Sequence, residues 1–441
     1  MINKNYPVNL SKKQIFLLSI PIFFSNLAIP LVGVIDTGLM GNLSETKYLA
    51  ATSVATSVMT MIIWSFGFLR MGTVGIVAQL FGKSDYREII RTLLRNIIIA
   101  LLIAFIIILL KPIIINLTKH FFSTSIETQE LIKTYMSIRI FSIPAELVIY
   151  IIVGFYLGIQ KTNISSLLII ILSTLNITLS SFFVLSLNLN VLGVALGTLI
   201  SSYITVIIFL IFTYFFISKK FQIIPKLEKL IVPTKLFKLF NINFDIFIRT
   251  FFLTFSFLWF TYIGSKLGED YLAVNTILMQ FVVFASFFLD AYAFSTEGII
   301  GFTIGRKNKK SFLTVVKNSI QLSFLTALMV SILYLIFFKQ IINTITDVEI
   351  LRYISYKHFL WILVIPSIAS FCYQLDGIFI GATQTREMRN AMMVSVVSFI
   401  IISIYLTKFF GNHGLWFSLL LFMILRSLTL YFLFNRILKK F

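Results

Sequence analysis

Charged residues are scarce. Asp, Glu, Lys and Arg make up 12% of the 441 residues, where an ordinary soluble domain carries about a quarter. That shortage excludes a string of water-soluble domains, and the 58% apolar content excludes a disordered chain. Acid is the rarer sign, with 17 Asp and Glu against 37 Lys and Arg. The single cysteine, Cys372, excludes an intrachain disulfide, and three histidines without cysteine neighbours give no metal-ligand spacing. Gly82-Lys83-Ser84 resembles the end of a phosphate-cradling loop, but Val77 stands where the upstream glycine is required. No HExxH helix, no Gly-x-Ser-x-Gly turn with triad partners and no dinucleotide fingerprint is present. The chain is expected not to be an enzyme and to carry no cofactor or metal. His120, His358 and His413 fall near span ends, where simple interfacial placement is expected.

Long apolar runs replace the missing polar surface, and mean hydropathy is +0.97. Stretches of about 20 apolar residues predict twelve helices over 14–38, 50–80, 89–110, 130–158, 165–187, 191–216, 239–265, 271–302, 313–337, 353–381, 389–409 and 413–435. The expected fold is an all-α polytopic membrane protein. The first run continues to Asp36 without a small-residue cleavage site, unlike a signal peptide. An even number of spans puts both termini on one side. That side collects 24 of the 37 Lys and Arg, the other side 9, and four lie inside spans. The bias predicts cytoplasmic termini and explains the net +20 by topology and contact with the lipid bilayer, not by nucleic acid.

The chain repeats at an offset near 223 residues. Tyr48-Leu49-Ala50 recurs as Tyr271-Leu272-Ala273, Gly75-Ile76 as Gly298-Ile299, and Gly82-Lys83 as Gly305-Arg306. Ile143-Pro144 pairs with Ile365-Pro366, and Gly158 and Thr162 with Gly381 and Thr385. Six helices per repeat make the halves parallel, as in some secondary transporters. The expected organisation is a six-helix lobe over 1–216, a cytoplasmic linker over 217–238 and a second six-helix lobe over 239–441. The linker is either plainly solvated or lies on anionic lipid.

Ionisable groups inside spans cost about 3 kcal/mol or more and tend to face cavities. Asp36 follows Pro21 and Pro30 on the first helix, where a bendable helix can change a carboxylate's solvation. It is either a titrating acid or an outer-end cap. Arg70 is a partner for a carboxylate or a lipid phosphate. Asp245 and Arg249 stand four apart and are expected to pair with each other. Asp290 and Glu297 share a face of the eighth helix and could hold a proton or a cationic substrate, and Asp376 could complete a polar patch on the tenth.

Several segments are similar to one family. Asp36-Thr37-Gly38, Phe66-Gly67-Phe68-Leu69-Arg70-Met71-Gly72-Thr73, Gly154-Phe155-Tyr156-Leu157-Gly158 and Leu375-Asp376-Gly377-Ile378-Phe379-Ile380-Gly381 resemble the multidrug and toxic compound extrusion (MATE) family, more narrowly its DinF branch. The resemblance implies a two-lobed bundle in a bacterial inner membrane. It implies export of small amphipathic, often cationic, organic compounds in exchange for H⁺ or Na⁺. It also implies an ion-coupling cluster around Asp36 with Asn176, Ser180 and Thr198. Where the branch carries a second Asp, this chain has Ser180, which favours a proton over a hard cation. Arg70, Arg249, Asp290, Glu297 and Asp376 are candidates for substrate contact or the lobe interface, in a protein expected to be monomeric. The alternatives are a flippase for lipid-linked oligosaccharides, disfavoured by the few arginines within spans, and a non-transporting scaffold, which the loss of that Asp would suit.

Overall fold

The structure, a computed structural model, describes residues 11–43, 45–122, 125–221, 230 and 232–441; among them there is no strand. Apolar runs become helices because a helix satisfies its own backbone hydrogen bonds where water is absent. The long helices are α1 (Lys12–Gly41), α2 (Thr46–Gly82), α3 (Tyr86–Leu109), α4 (Ile126–Gly158), α5 (Thr162–Ser186), α6 (Asn190–Phe221), α7 (Pro233–Lys266), α8 (Glu269–Gly305), α9 (Lys309–Ile345) and α10 (Phe359–Gly381). A final helical stretch divides at Gly411, whose φ of 55° and ψ of −137° interrupt it, into α11 (385–410) and α12 (412–433). Among the described residues this makes twelve membrane-spanning helices.

Three helices are broken where the sequence suggested continuity. α2 breaks at Phe66 and Gly67, and α4 passes through a 3₁₀ turn at Ile140–Ser142 before Pro144. The stretch expected over 353–381 is a short helix, Glu349–Lys357, followed by α10, with the turn at His358. The join between the repeats is shorter than 217–238, since α6 runs to Phe221 and proline starts α7 at Pro233. Residues 222–229 and 231 of that join lie outside the described residues. Its far end is pinned: Arg95 Nε donates to the Leu230 carbonyl at 2.7 Å, and Glu88 takes both Arg95 at 2.6 Å and Lys235 at 2.8 Å.

The chain divides into two compact units, one of Phe24–Leu239 and one of Phe240–Phe441 joined by the start of α1 up to Phe23. In the first unit α2 and α3 flank α4, and α5 lies along α6. In the second unit α8 and α9 flank α10, the same arrangement one repeat later. Long side chains such as Phe105, Leu109, Phe409 and Phe432 are each at least 60% exposed, a surface suited to lipid and not to water.

The repeat is legible in the backbone itself. Left-handed residues end helices at Ser84 and Lys307, at Gln160 and Thr383, and at Asn188 and Gly411, each pair 223 residues apart. The helix starts match too. Asp85 caps α3 by accepting from Glu88 N at 3.1 Å, and Asn308 caps α9 by accepting from Ser311 N at 2.9 Å.

Glycines bring α4 against α2 and α10 against α8. A Cβ at Gly154 would lie 2.6 Å from the Arg70 carbonyl oxygen, and one at Gly377 would lie 2.7 Å from that of Ala293. One turn on, Gly158 faces Val74 and Val77, and Gly381 faces the equivalent Glu297 and Ile300. Close backbone approach through small residues is how helices adhere in lipid, where the hydrophobic effect gives no drive between them. Gly377→Val therefore forces backbones apart and is expected to destabilise the protein by about 1–3 kcal/mol, read as a lowered thermal midpoint in detergent. Gly33→Ala, at a position with nothing within 4 Å, is expected to leave the midpoint in place; equal effects of the two would contradict this packing.

Candidate functional site

In the first unit, Asn176 and Ser180 are one turn apart on α5, and Thr198 faces them from α6. Asn176 Nδ2 donates to Thr198 Oγ1 at 3.0 Å, Ser180 Oγ donates to Asn176 Oδ1 at 3.5 Å, and Thr198 donates to the Val194 carbonyl at 3.1 Å. The two helices approach closely because residue 197 is glycine: a Cβ there would lie 2.7 Å from the Ser180 nitrogen. The Ser180 hydroxyl lies against the Asp36 carboxylate of α1. Asp36 Oδ1 is buried and has no hydrogen-bond partner among the described residues. An unsatisfied buried acceptor costs about 1–3 kcal/mol, and a proton or bound cation on the carboxylate relieves it. The four residues expected to form the ion-coupling cluster thus lie together.

A second group adjoins it from α4. Arg139 donates to Glu146 and to Ser142, its Nη2 reaching Glu146 Oε2 at 3.3 Å, and Ser142 Oγ donates to Glu146 Oε1 at 2.8 Å. Arg139 is also the charged side chain that acts on Asp36. Tyr135, whose hydroxyl accepts from Thr56 at 3.1 Å, lies within reach of all three charges. Sequence reading passed over Arg139 and Glu146, although seven residues apart on one helix is a spacing that shares a face. Arg70 is buried on α2, where its carbonyl underlies Gly154 and its charge acts on Tyr150.

In the second unit the expected pairing of Asp245 with Arg249 is corrected. Asp245 accepts from Arg389 at 2.6 Å and from Thr385 at 3.1 Å. Arg249 instead pairs with Asp376, and Arg426 donates to the same Asp376 oxygen, Oδ2, at 2.6 Å. All three are less than 10% exposed. Asp376 is thus clamped by two guanidiniums, and Arg426 is a site residue that sequence reading counted without assigning. Glu297 is buried on α8 with its carbonyl under Gly381, and Thr296 beside it donates to Gln374 at 3.2 Å. Asp290 is half-buried on the same helix and acts electrostatically on Cys372 and Tyr373.

These clusters are not copies of each other. The positions 223 residues after Asp36, Asn176 and Ser180 are Trp259, Phe399 and Ser403, and Trp259 Nε1 donates to Ser403 Oγ at 2.9 Å. In the register of Pro144 with Pro366, Trp361 and Ile368 stand for Arg139 and Glu146. Asp376 corresponds to Val153. The fold therefore does not need the polar residues where they stand.

His358 stands at the start of α10, near a span end as the sequence suggests, and is buried there. It is 2% exposed, its ring stacks on His413 at 4.1 Å, and Trp361 Nε1 donates to His413 Nδ1 at 3.1 Å. Burial pushes the His358 imidazole below its ordinary range, which keeps that ring neutral at physiological pH.

The shared Asp376 sets an order of stabilities. Asp376→Asn strands two buried guanidiniums, whereas Arg249→Gln or Arg426→Gln leaves one neutral pair. Asp376→Asn is expected to cost about 3–5 kcal/mol and each arginine change less, measured as thermal midpoints of purified protein. A milder effect of the Asp change would contradict the clamp.

The MatE family model matches residues 21–182 and again 246–409, once in each unit. The chain is 32% identical to the DNA damage-inducible protein F of Escherichia coli, over 95% of this chain and 91% of that protein. It is 24% identical to the multidrug resistance protein NorM of Vibrio cholerae, over 76% of this chain and 73% of that protein. Its fold is that of an outward-facing multidrug resistance MATE family transporter of the MOP superfamily (TM-score 0.88, 17% identity, 98% and 97% of the two chains). It matches equally a MOP superfamily transporter from Pyrococcus furiosus (TM-score 0.87, 18% identity, 98% and 97%). With the family model on both halves and the E. coli protein similar along nearly the whole length, the chain belongs to the MatE family, the multidrug and toxic compound extrusion transporters, in the branch of the DNA damage-inducible protein F.

Proposed function

We propose that the protein is a secondary active antiporter of the inner membrane that exports amphipathic, cationic organic compounds in exchange for protons by alternating access. The observation that carries this reading is Asp36: a carboxylate on a helix with two prolines, one oxygen buried without a donor, faced by the neutral Asn176, Ser180 and Thr198. Such an acid has two states of comparable cost, protonated when desolvated and ionised when open to water, as coupling to a proton gradient requires.

A proton suits the site better than Na⁺. With Ser180 in place of a second carboxylate, Asp36 is the one charged oxygen donor of the cluster, and the Arg139 guanidinium nearby repels a metal cation. The second unit offers no substitute, because Asp376 is already occupied by Arg249 and Arg426. A cationic group of the substrate is assigned to Asp290, half-buried on α8. A lipid-linked oligosaccharide flippase would need arginines open to pyrophosphate, and Arg139, Arg249 and Arg426 are each held by a carboxylate. The excess of Lys and Arg on one side supports cytoplasmic termini, and the complete set of six helices in each unit supports a monomer.

In proteoliposomes, efflux of a fluorescent lipophilic cation is expected under a pH gradient alone and not under a Na⁺ gradient alone. Asp36→Asn is expected to reduce that efflux at least tenfold, equivalent to about 1.4 kcal/mol of coupling. Efflux driven by Na⁺ alone, or undiminished in Asp36→Asn, would overturn the reading.

A further inference from the structure

We propose that Arg139 is the counter-ion of ionised Asp36 and that Glu146 competes for it: the guanidinium rests on Glu146 while Asp36 carries its proton and swings to Asp36 when the proton leaves. This rests on the proposed proton coupling and names the residues that set its proton affinity. Arg139 and Glu146 are positioning residues; the proton itself stays on Asp36.

Three observations meet here. First, Arg139 is fully engaged with Glu146 and Ser142, while Asp36 Oδ1, on which it acts electrostatically, has no donor among the described residues. That is the arrangement expected when Asp36 is neutral: the group of Asp36, Arg139 and Glu146 then carries no net charge, and loss of the proton leaves it at −1 unless the shared cation moves. Second, the pair straddles the break in α4. The 3₁₀ turn at Ile140–Ser142 frees backbone carbonyls, and that of Arg139 accepts from Ser142 Oγ at 2.6 Å while that of Phe141 accepts from Tyr203 of α6 at 3.0 Å. A guanidinium at an interrupted helix, on a long side chain, has somewhere to turn. Third, the second unit builds its helix around the matching proline without such a pair: in the register of Pro144 with Pro366, Trp361 and Ile368 stand at the equivalent positions. An ion pair costs desolvation that well-packed apolar residues avoid. Its presence only where Asp36 is present points to service of that acid.

Among the described residues, Arg139 and Tyr135 of α4 act on Asp36, Glu146 and Arg139 of the same helix act on Tyr150, and the charge of Arg70 on α2 reaches Tyr150 as well. From α5 and α6 come Asn176, Ser180 and Thr198, none of them charged. Glu146 is thus the acid that rivals Asp36 for the nearby cation.

The test measures protonation of Asp36 directly. Full-length protein in nanodiscs is labelled with dicyclohexylcarbodiimide, which reacts with protonated carboxyl groups, and the Asp36 peptide is quantified by mass spectrometry across pH. Glu146→Gln releases Arg139 to Asp36, and its labelling midpoint is expected to fall by about one pH unit, a tenfold change in proton affinity. The double variant R139I/E146A, which replaces the pair with apolar residues, removes the counter-ion, and its midpoint is expected to rise. Midpoints that stay at the wild-type value, or move in the same direction, would overturn the proposal, and either variant alone decides it if the other does not fold. Efflux under a pH gradient is measured beside the labelling. Wild-type efflux indifferent to that gradient refutes proton coupling, whereas coupled efflux with unmoved midpoints refutes only the role of Arg139 and Glu146.

Discussion

The closeness of α4 to α2, and of α10 to α8, is the constraint on which the rest depends. In lipid the hydrophobic effect does not press helices together, and dispersion contact across a thin interface does the work. Gly154 and Gly158 let α4 rest on the carbonyls and side chains of α2, and Gly377 and Gly381 repeat the contact on α8. With those interfaces set, the left-handed turns at Ser84 and Lys307 and at Gln160 and Thr383 return the chain into the membrane at equivalent places. Two units of one design follow, as an even number of helices per repeat requires.

Onto that shared frame the chain writes two different polar interiors. The second unit closes its charges upon themselves: Asp376 between Arg249 and Arg426, Asp245 with Arg389. Both guanidiniums take Asp376 Oδ2, while its Oδ1 is buried without a hydrogen-bond partner among the described residues. The first unit leaves one carboxylate oxygen unsatisfied, Asp36 Oδ1, and surrounds it with hydroxyl and amide groups and one cation already committed elsewhere. Where the second unit needs only Trp259 against Ser403, the first keeps an acid. The asymmetry lies in the counter-charge, since two cations bind Asp376 whereas the cation beside Asp36 is bound to Glu146, and neither composition nor hydropathy distinguishes the two.

Much of the fold is written in short-range patterns. Apolar runs mark the spans, Gly82-Lys83 and Gly305-Arg306 mark equivalent turns, and the offset of 223 survives into backbone conformation. Asn176, Ser180 and Thr198 were named through family resemblance, and the structure brings them together with Asp36. The partner of Arg249 was not, since local spacing favours Asp245 four residues away while Asp376 lies 127 residues along the chain. Only the folded unit, in which the Arg249 side chain of α7 reaches Asp376 of α10, decides between them. The histidines follow the same rule: His358 and His413 stand near span ends in sequence, and the break before α10 buries one against the other. The α4 ion pair is the opposite case. Arg139 and Glu146 lie on one helix at a face-sharing spacing, and the signal was present without a long-range partner to find.

The central claim is that proton movement through the first unit is tied to substrate movement. The most direct measurement loads proteoliposomes with a lipophilic cation and a pH-sensitive dye, with no ion gradient imposed, and follows internal pH as the substrate leaves. The account predicts internal acidification that tracks efflux and vanishes with Asp36→Asn. Substrate efflux with internal pH unchanged would contradict it.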